Sequence, residues 1–226
     1  MTKQQHDSDP APTSSQFAAF QRMFDYFNVA LFGGTLPAVI LNFSRAANTL
    51  GFFAPERWER DGNKVVHEIS LNPAYLKHRD QRAVVSTLVH EMAHHWQQEH
   101  GTPGRRGYHN EEWAAKMQEI GLMPSSTAAP GGARVGYKVS HYILEGGAFA
   151  AAYARMPREY LLPWLCWEGS AARAKKPRQA SKVKFTCTAC GCNAWGKPNL
   201  KLVCGDCDQP MAAVGATDGD EQACTA

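Results

Sequence analysis

One motif constrains this chain more than any other feature: His90, Glu91 and His94 form an HExxH pattern. On a helix, residues four apart lie on the same face, so the two imidazoles can bind one metal ion. Glu91 lies about 100° around the helix from His90, close enough to reach a water molecule on that metal. Apolar residues precede the motif and no proline interrupts it, which predicts a helix from about Asp80 through Gln98. The pattern is typical of a Zn²⁺ site with a glutamate as general base.

A catalytic zinc site needs three protein ligands and an open position, so a further ligand must follow the motif. The candidates are His95, His100, His109, Glu111 and Glu112. His95 points about 100° away from His94 and is expected to pack or to face solvent. His109 follows a glycine-rich turn that lets the chain reverse, and it precedes Trp113 by one helical turn on the face expected to pack inward. We predict His109 as the third ligand and keep Glu112 as the alternative.

Two CxxC pairs, separated by 13 residues, predict a second zinc site formed by Cys187, Cys190, Cys204 and Cys207. Four thiolates close the coordination sphere, so this zinc would be structural. A module of about 30 residues has too small a core to fold alone, and metal binding supplies the missing free energy. Cys192 is a competing ligand, but its one-residue spacing from Cys190 is poorer. A redox dithiol is the alternative for either pair alone.

Hydrophobic periodicity predicts a helix from Phe17 to Leu31 that ends at Gly33, and another from about Asn110 to Ile120. Further elements are predicted as strands at residues 39–43, 49–54, 65–72 and 137–144, a loop at 124–134 and a helix at 148–156. In the strand from Val65 to Asn72, alternation places His67 beside apolar residues, so His67 is expected in the core or a cleft wall rather than on a metal.

The charge distribution is uneven, although the formal net charge is only +3. Residues 1–168 hold 16 basic and 16 acidic residues, whereas residues 169–205 hold eight basic residues and no acidic one. This basic segment, charged between Arg173 and Lys201, predicts sequence-nonspecific contact with DNA, although a zinc-bound Cys₄ site would remove about two of its charges. The other interpretation is a solvated linker. Phe185 and Trp195 offer stacking surfaces for bases, or else form the small module's core.

No apolar run is long enough to span a membrane, and the polar first 16 residues do not suit a signal peptide. We therefore expect a cytoplasmic protein without a membrane partner, whose seven cysteines are reduced. Nothing in the sequence predicts an oligomeric state.

Part of the chain resembles a known family, from about residue 17 to residue 123. The matching segments are an opening motif, a strand, the motif helix and a later histidine: Phe27-Asn28, Leu31 to Pro37, Ile69 to Pro73, Thr87 to His94, and His109. They resemble the SprT-like family, which includes the Spartan proteases. The resemblance implies a compact zincin-like metallopeptidase core in which His90, His94 and His109 bind zinc and Glu91 is catalytic. Some relatives have glycine where this chain has Asn110. We expect this difference to affect the local backbone shape and not the binding of the metal.

The cysteine module is similar to the C-terminal zinc ribbon of bacterial SprT-like proteins. The predicted organisation is a disordered leader (1–16), a SprT-like core (17–123), a loop and accessory strand and helix region (124–170), a basic linker (171–182), a Cys₄ zinc ribbon (183–212) and an acidic disordered tail (213–226). The fold class is α+β, with helices packed on a small sheet.

These features together predict a zinc-dependent endopeptidase with one catalytic and one structural Zn²⁺. The resemblance implies a protein substrate that is bound or crosslinked to DNA. The alternative is a non-proteolytic zinc protein associated with nucleic acid, acting in stress response or transcription. Tyr108 and His141 are candidates for stabilising the oxyanion. The strand from Val65 to Asn72 is expected to form a cleft wall that pairs with extended substrate.

Overall fold

The computed structural model describes residues 10–62, 64–166 and 182–214, and the chain divides into two compact units, Met1–Ala171 and Ala172–Ala226. The first unit contains α1 (Pro12–Phe32), β1 (Ile40–Phe43), β2 (Gly51–Arg60), β3 (Lys64–Leu71), α2 (Gln81–His100), β4 (Tyr108–His109), α3 (Glu111–Glu119), β5 (Leu122–Ser125), β6 (Gly136–Tyr137), β7 (Ser140–Ile143) and α4 (Ala148–Arg155). Short 3₁₀ helices lie at Pro73–Tyr75 and Arg158–Tyr160. The prediction of an α+β fold is confirmed.

Helix α1 carries a stripe of buried aromatic residues and ends where Gly33 adopts the left-handed conformation, with φ 65°. It begins at Pro12, so the predicted disordered leader is wrong for residues 12–16. Proline is well suited to the first turn of a helix, because its φ is already fixed and its missing N–H would have no partner there. Gln16 also exchanges two hydrogen bonds with the backbone of Trp164, which ties this turn to the fold.

The family motif at the end of α1 has a clear structural role. The side-chain amide of Asn28 donates to the carbonyl of Leu36 at 3.0 Å and accepts from its N–H at 3.1 Å. This pair of bonds returns the chain from the glycine turn toward β1.

The main sheet has the order β1-β3-β2, with β1 parallel and β2 antiparallel to β3. Strand β3 is therefore paired on both sides, and the prediction that it pairs with substrate is wrong: the edge strands of this sheet are β1 and β2. Ile69 and Leu71 of β3 enter the hydrophobic core, whereas Glu68 and Ser70 are buried on its other face and hydrogen-bonded to each other. Strand β2 continues past the predicted end at Ala54, through an irregularity between Ala54 and Trp58.

The segment beyond residue 123 belongs to the same hydrophobic core rather than to a separate accessory region. Strand β5 extends into the predicted loop and pairs with β7, and the predicted strand at 137–144 is divided into β6 and β7. Phe149 of α4 is fully buried and stacks on Phe27 of α1, with ring centroids 5.7 Å apart. Burying these aromatic rings fixes α4 against α1.

The second unit is a small antiparallel sheet of order β10-β8-β9, formed by β8 (Val183–Cys187), β9 (Asn193–Gly196) and β10 (Met211–Val214). Strand β10 extends two residues past the predicted end of the ribbon at 212. Most of the predicted linker and nearly all of the predicted tail lie outside the described residues. In the part of the chain that the structure describes, no helix combines the length and apolar character needed to cross a membrane.

Candidate metal centre and catalytic cleft

Three histidines come together in the first unit. His90 and His94 lie one turn apart on α2, and His109 ends β4, just before α3 begins. One ring nitrogen from each lies within 4.8 Å of the others, the separation that ligands of a single metal ion require. The structure thus brings together the three histidines selected from the sequence. Three protein ligands leave the fourth position of a tetrahedral metal site open for water or substrate.

The hydrogen bonds and charge state of these rings suit zinc. The Nδ1 atom of His109 lies 3.1 Å from the carbonyl oxygen of Gly136, to which it can only donate, so Nε2 keeps its lone pair. Burial lowers the pKa of His94 to about 3 and lowers the pKa values of His90 and His109. All three imidazoles are therefore neutral near pH 7, which is the form that binds Zn²⁺.

Trp113 forms the floor beneath the three histidines. Its ring is fully buried, and its centroid lies 4.9 Å from that of His90, 5.0 Å from that of His94 and 4.3 Å from that of His109. A rigid aromatic surface limits the rotation of all three imidazoles at once. The sequence placed Trp113 on the inward face of its helix but gave no indication of this contact.

The loop that carries His109 is held by a network of polar side chains. Asn110 caps α3 by accepting from the N–H of Trp113, and it donates to the carbonyl of Thr102. Glu112 accepts from the Thr102 N–H and from the side chain of Gln97, each at 2.7 Å. Glu112, the alternative third ligand, thus holds the loop in place through hydrogen bonds. It is not part of the histidine group. Asn110, the departure from some relatives, serves as the helix cap.

Glu91 lies in the cleft beside the histidines. Its carboxylate is buried and accepts the backbone N–H of Phe53 in β2. Burial raises the pKa of Glu91 to about 8, and the hydrogen bond from Phe53 opposes that rise. The contact with β2 therefore fixes the position of Glu91, the predicted general base. The sequence did not reveal this contact.

A cleft of about 1560 Å³ contains the histidines, Glu91 and residues 51–54 of β2. Four exposed cations also line it, namely Arg57, Arg105, Arg106 and Lys138. Among the described residues, the acidic groups in its lining are Glu68 and Glu91, both buried. Glu68 accepts hydrogen bonds from Trp58 and Ser70, each at 2.6 Å. The accessible charge of the cleft is therefore positive.

The two candidates for oxyanion stabilisation differ in their surroundings. Tyr108 lines the cleft and is 39% exposed, so its hydroxyl stays a candidate. Both ring nitrogens of His141 are already occupied: Nδ1 lies 3.1 Å from Nδ1 of His90, and Nε2 lies 2.9 Å from Oγ of Ser86. His141 has no free N–H for a substrate oxygen.

A second His/Glu cluster consists of His67, His95 and Glu99. The backbone N–H of Glu56 donates to Nδ1 of His67, so the ring proton is on Nε2, which lies 2.7 Å from Glu99. That nitrogen therefore donates to the carboxylate and has no lone pair to offer a metal. His95 is fully buried and packs between Phe24 and Phe53.

In the second unit, the thiols of Cys187, Cys190, Cys204 and Cys207 form a group whose sulfur atoms lie within 4.8 Å of one another. The backbone N–H of Cys192 donates to Cys190 and lowers its pKa to about 6, and the N–H groups of Asp206 and Cys207 lower that of Cys204. These amides stabilise the thiolates of Cys190 and Cys204, whereas the hydrogen bond with Cys190 raises the pKa of Cys207 to about 12. Cys192 Sγ also lies 3.4 Å from Cys204 Sγ, so the residue set aside in the sequence is next to the site.

A sequence model of the SprT-like family matches residues 20–133, which is half of the chain and includes all three histidines and Glu91. No curated protein matches the chain significantly.

Proposed function

The chain belongs to the SprT-like family, which is associated with zincin-like metallopeptidases, and we propose that it is a zinc-dependent endopeptidase. The observation that carries this proposal is the convergence of His90, His94 and His109 beside the buried carboxylate of Glu91. A structural zinc site needs no such carboxylate beside its ligands. The second zinc, on the four cysteines, would be structural because its coordination is complete.

Zinc held by the three histidines would supply Lewis acidity and lower the pKa of a water molecule. Glu91 takes a proton from the attacking water and later passes it to the leaving amine. Burial, which raises the pKa of Glu91, favours the protonated carboxyl that donates in the second transfer. The N–H of Phe53 holds the carboxylate in place during both transfers.

The protein substrate would bind along β2. Residues 51–54 of this strand line the cleft, and among the described residues no other strand pairs with the outer edge of β2. An extended peptide can add to such an edge through backbone hydrogen bonds, with little dependence on its sequence. The scissile bond would then pass in front of Glu91.

We further propose that the substrates are proteins bound or crosslinked to DNA, and that residues 173–201 contact the DNA. Trp195 of β9 is 64% exposed, and its cross-strand neighbour in β8 is the exposed Lys184. An exposed aromatic ring beside a cation is a common combination in proteins that bind single-stranded nucleic acid. The cations of the cleft support the same proposal, because DNA attached to a substrate would lie near them.

The test compares the zinc-loaded protein with Glu91→Gln on a DNA-bound protein and on the same protein without DNA. We expect Glu91→Gln to abolish cleavage of both while retaining zinc, and we expect DNA to accelerate cleavage by the parent. Glu111→Gln, a change at an exposed carboxylate outside the cleft lining, is the matched control. Undiminished cleavage by Glu91→Gln would contradict the catalytic role of Glu91. A zinc-loaded parent that cleaves neither substrate would favour the non-proteolytic alternative.

A further inference from the structure

We propose that His141 is a positioning residue for the metal centre: it fixes the tautomer of His90 so that Nε2 of His90 faces the metal. The inference rests on the proposed function only in taking His90, His94 and His109 as zinc ligands. It assigns to a residue of β7, 51 positions after His90, a role that the family motif does not include.

The direction of each hydrogen bond in the chain from Ser86 to His90 follows from its first acceptor, a backbone carbonyl. Ser86 Oγ lies 3.0 Å from the carbonyl oxygen of Ala83, which can only accept, so Ser86 donates to it. Having used its proton there, Ser86 accepts from Nε2–H of His141, at 2.9 Å. His141 then carries its proton on Nε2.

The proton position on His141 in turn determines the proton position on His90, the proposed metal ligand. With its proton on Nε2, His141 has a lone pair on Nδ1 and accepts from Nδ1–H of His90 across 3.1 Å. His90 is therefore protonated on Nδ1, and its Nε2 lone pair is available to zinc. In this respect His141 does for His90 what the carbonyl of Gly136 does for His109.

The opposite proton arrangement would not bind metal. If Ser86 donated to His141, then His141 would donate through Nδ1, and His90 would carry its proton on Nε2, where the metal must bind. A rotating hydroxyl permits both arrangements, but only the first one keeps the 3.0 Å hydrogen bond from Ser86 Oγ to the carbonyl of Ala83, which also accepts from Thr87 Oγ1 at 3.1 Å. His141 and Ser86 together thus favour the arrangement that can bind zinc.

The experiment uses the full chain with the metal removed and then returned. Long-range ¹H–¹⁵N spectra of the metal-free protein report which nitrogen of His90 carries the proton, and chelator competition reports zinc affinity. We expect the Nδ1–H tautomer in the parent. His141→Leu removes the acceptor, so we expect a mixture of tautomers and zinc binding at the histidine site weakened about 10–100-fold.

His141→Asn separates this role from simple packing. The amide oxygen of asparagine is as many bonds from the backbone as Nδ1 of histidine, so it can accept from His90 and should recover most of the affinity. The cysteine site is an internal reference whose affinity should not change, and His78→Leu, at an exposed histidine, is the matched control. Ser86→Ala should give a tautomer mixture without removing the acceptor.

Two results would overturn the proposal: an Nε2–H tautomer of His90 in the metal-free parent, or His141→Leu binding zinc within twofold of the parent. An equal loss of zinc affinity in His141→Asn and His141→Leu would also overturn the proposal. None of these measurements depends on turnover, so a failure of the peptidase proposal in the Glu91→Gln test would be recognised separately.

Discussion

The backbone of Gly51 lies directly against the carboxylate of Glu91. A Cβ atom built on Gly51 would be 3.3 Å from Oε1 of Glu91, 3.2 Å from Cγ2 of Thr87 and only 2.9 Å from the carbonyl oxygen of Ser70. Glycine is required here by close packing between β2, β3 and α2 rather than by a left-handed backbone. The position of Glu91, the proposed general base, therefore depends on a residue outside the HExxH motif.

Gly51→Ala should lower peptidase activity about 100-fold, because displacing a catalytic group by about 1 Å is known to cost that much. The added methyl group cannot push back the backbone of Ser70, so β2 and the carboxylate of Glu91 must shift. Zinc binding should not change, because the three histidines lie outside this contact. The measurement is cleavage rate together with zinc content at each site. Parent-like activity in Gly51→Ala would show that Glu91 is not held by β2.

Cysteine substitutions should distinguish the ligands of the second site from its neighbour. Cys204→Ser removes one of the grouped thiols and should lose the ribbon zinc, with loss of the β8–β10 sheet because the metal supplies much of its stability. Cys192→Ser should retain that zinc, although its sulfur lies 3.4 Å from that of Cys204. Zinc content and circular dichroism provide the readouts. Loss of zinc in Cys192→Ser with retention in a Cys190→Ser variant would show that Cys192 is the ligand.

The sequence was sufficient for features that depend on local spacing. The stripe of phenylalanines predicted α1, the HExxH spacing predicted that His90 and His94 share one face of α2, and the paired cysteines predicted that four thiols group together. His109 was also accessible, because a flexible glycine-rich turn must end before Trp113 returns to the core. In each case the decisive residues are close together in the chain, so periodicity and turn chemistry reveal them.

Other features depend on contacts between distant segments. Val65 to Asn72 alternates like a strand with one solvent-facing side, yet the second half of β3, from Glu68 to Leu71, is buried on both faces, and Glu68 there has polar partners in Trp58 and Ser70. The contacts of Gly51 with Glu91 and of His141 with His90 join segments 40 or more residues apart. No local pattern encodes them. The first turn of α1 likewise depends on a residue distant in the chain, because Nε1–H of Trp164 donates to Oγ of Ser15.

His95→Leu should stabilise the first unit. His95 is fully buried, and among the described residues neither ring nitrogen has a hydrogen-bond partner, with Glu99 Oε1 3.7 Å from Nε2. An unsatisfied buried polar group costs about 1–3 kcal/mol, so leucine should raise the free energy of unfolding by an amount in that range. Denaturant unfolding at pH 7.5, on protein with the same zinc content, measures it. Equal or lower stability would show that the His95 nitrogens are satisfied in solution.

The stabilisation from His95→Leu should also grow as the pH falls. Burial lowers the pKa of His95 to about 4, below the ordinary 6.5 of the unfolded chain. Below pH 6.5 the unfolded chain therefore takes up a proton that the folded chain does not, and the parent loses stability as the pH falls toward 4. Leucine removes this loss, so its advantage should be larger at pH 5 than at pH 7.5. A constant difference between the two pH values would contradict the lowered pKa of His95.

Substitutions of Trp195 should reveal whether the ribbon stacks on unpaired bases. Trp195→Ala removes an aromatic face that is 64% exposed and should weaken binding of an oligothymidine about tenfold, whereas Trp195→Phe keeps an aromatic face and should lose much less. Fluorescence anisotropy over a range of salt concentrations separates stacking from charge. Lys184→Gln should reduce the slope of log K against log salt by about 0.7, the value for one phosphate contact to a single strand. Trp195→Ala should leave that slope unchanged, because it removes no charge. Parent-like affinity in Trp195→Ala, or tighter binding of a duplex than of the single strand, would contradict base stacking at this face.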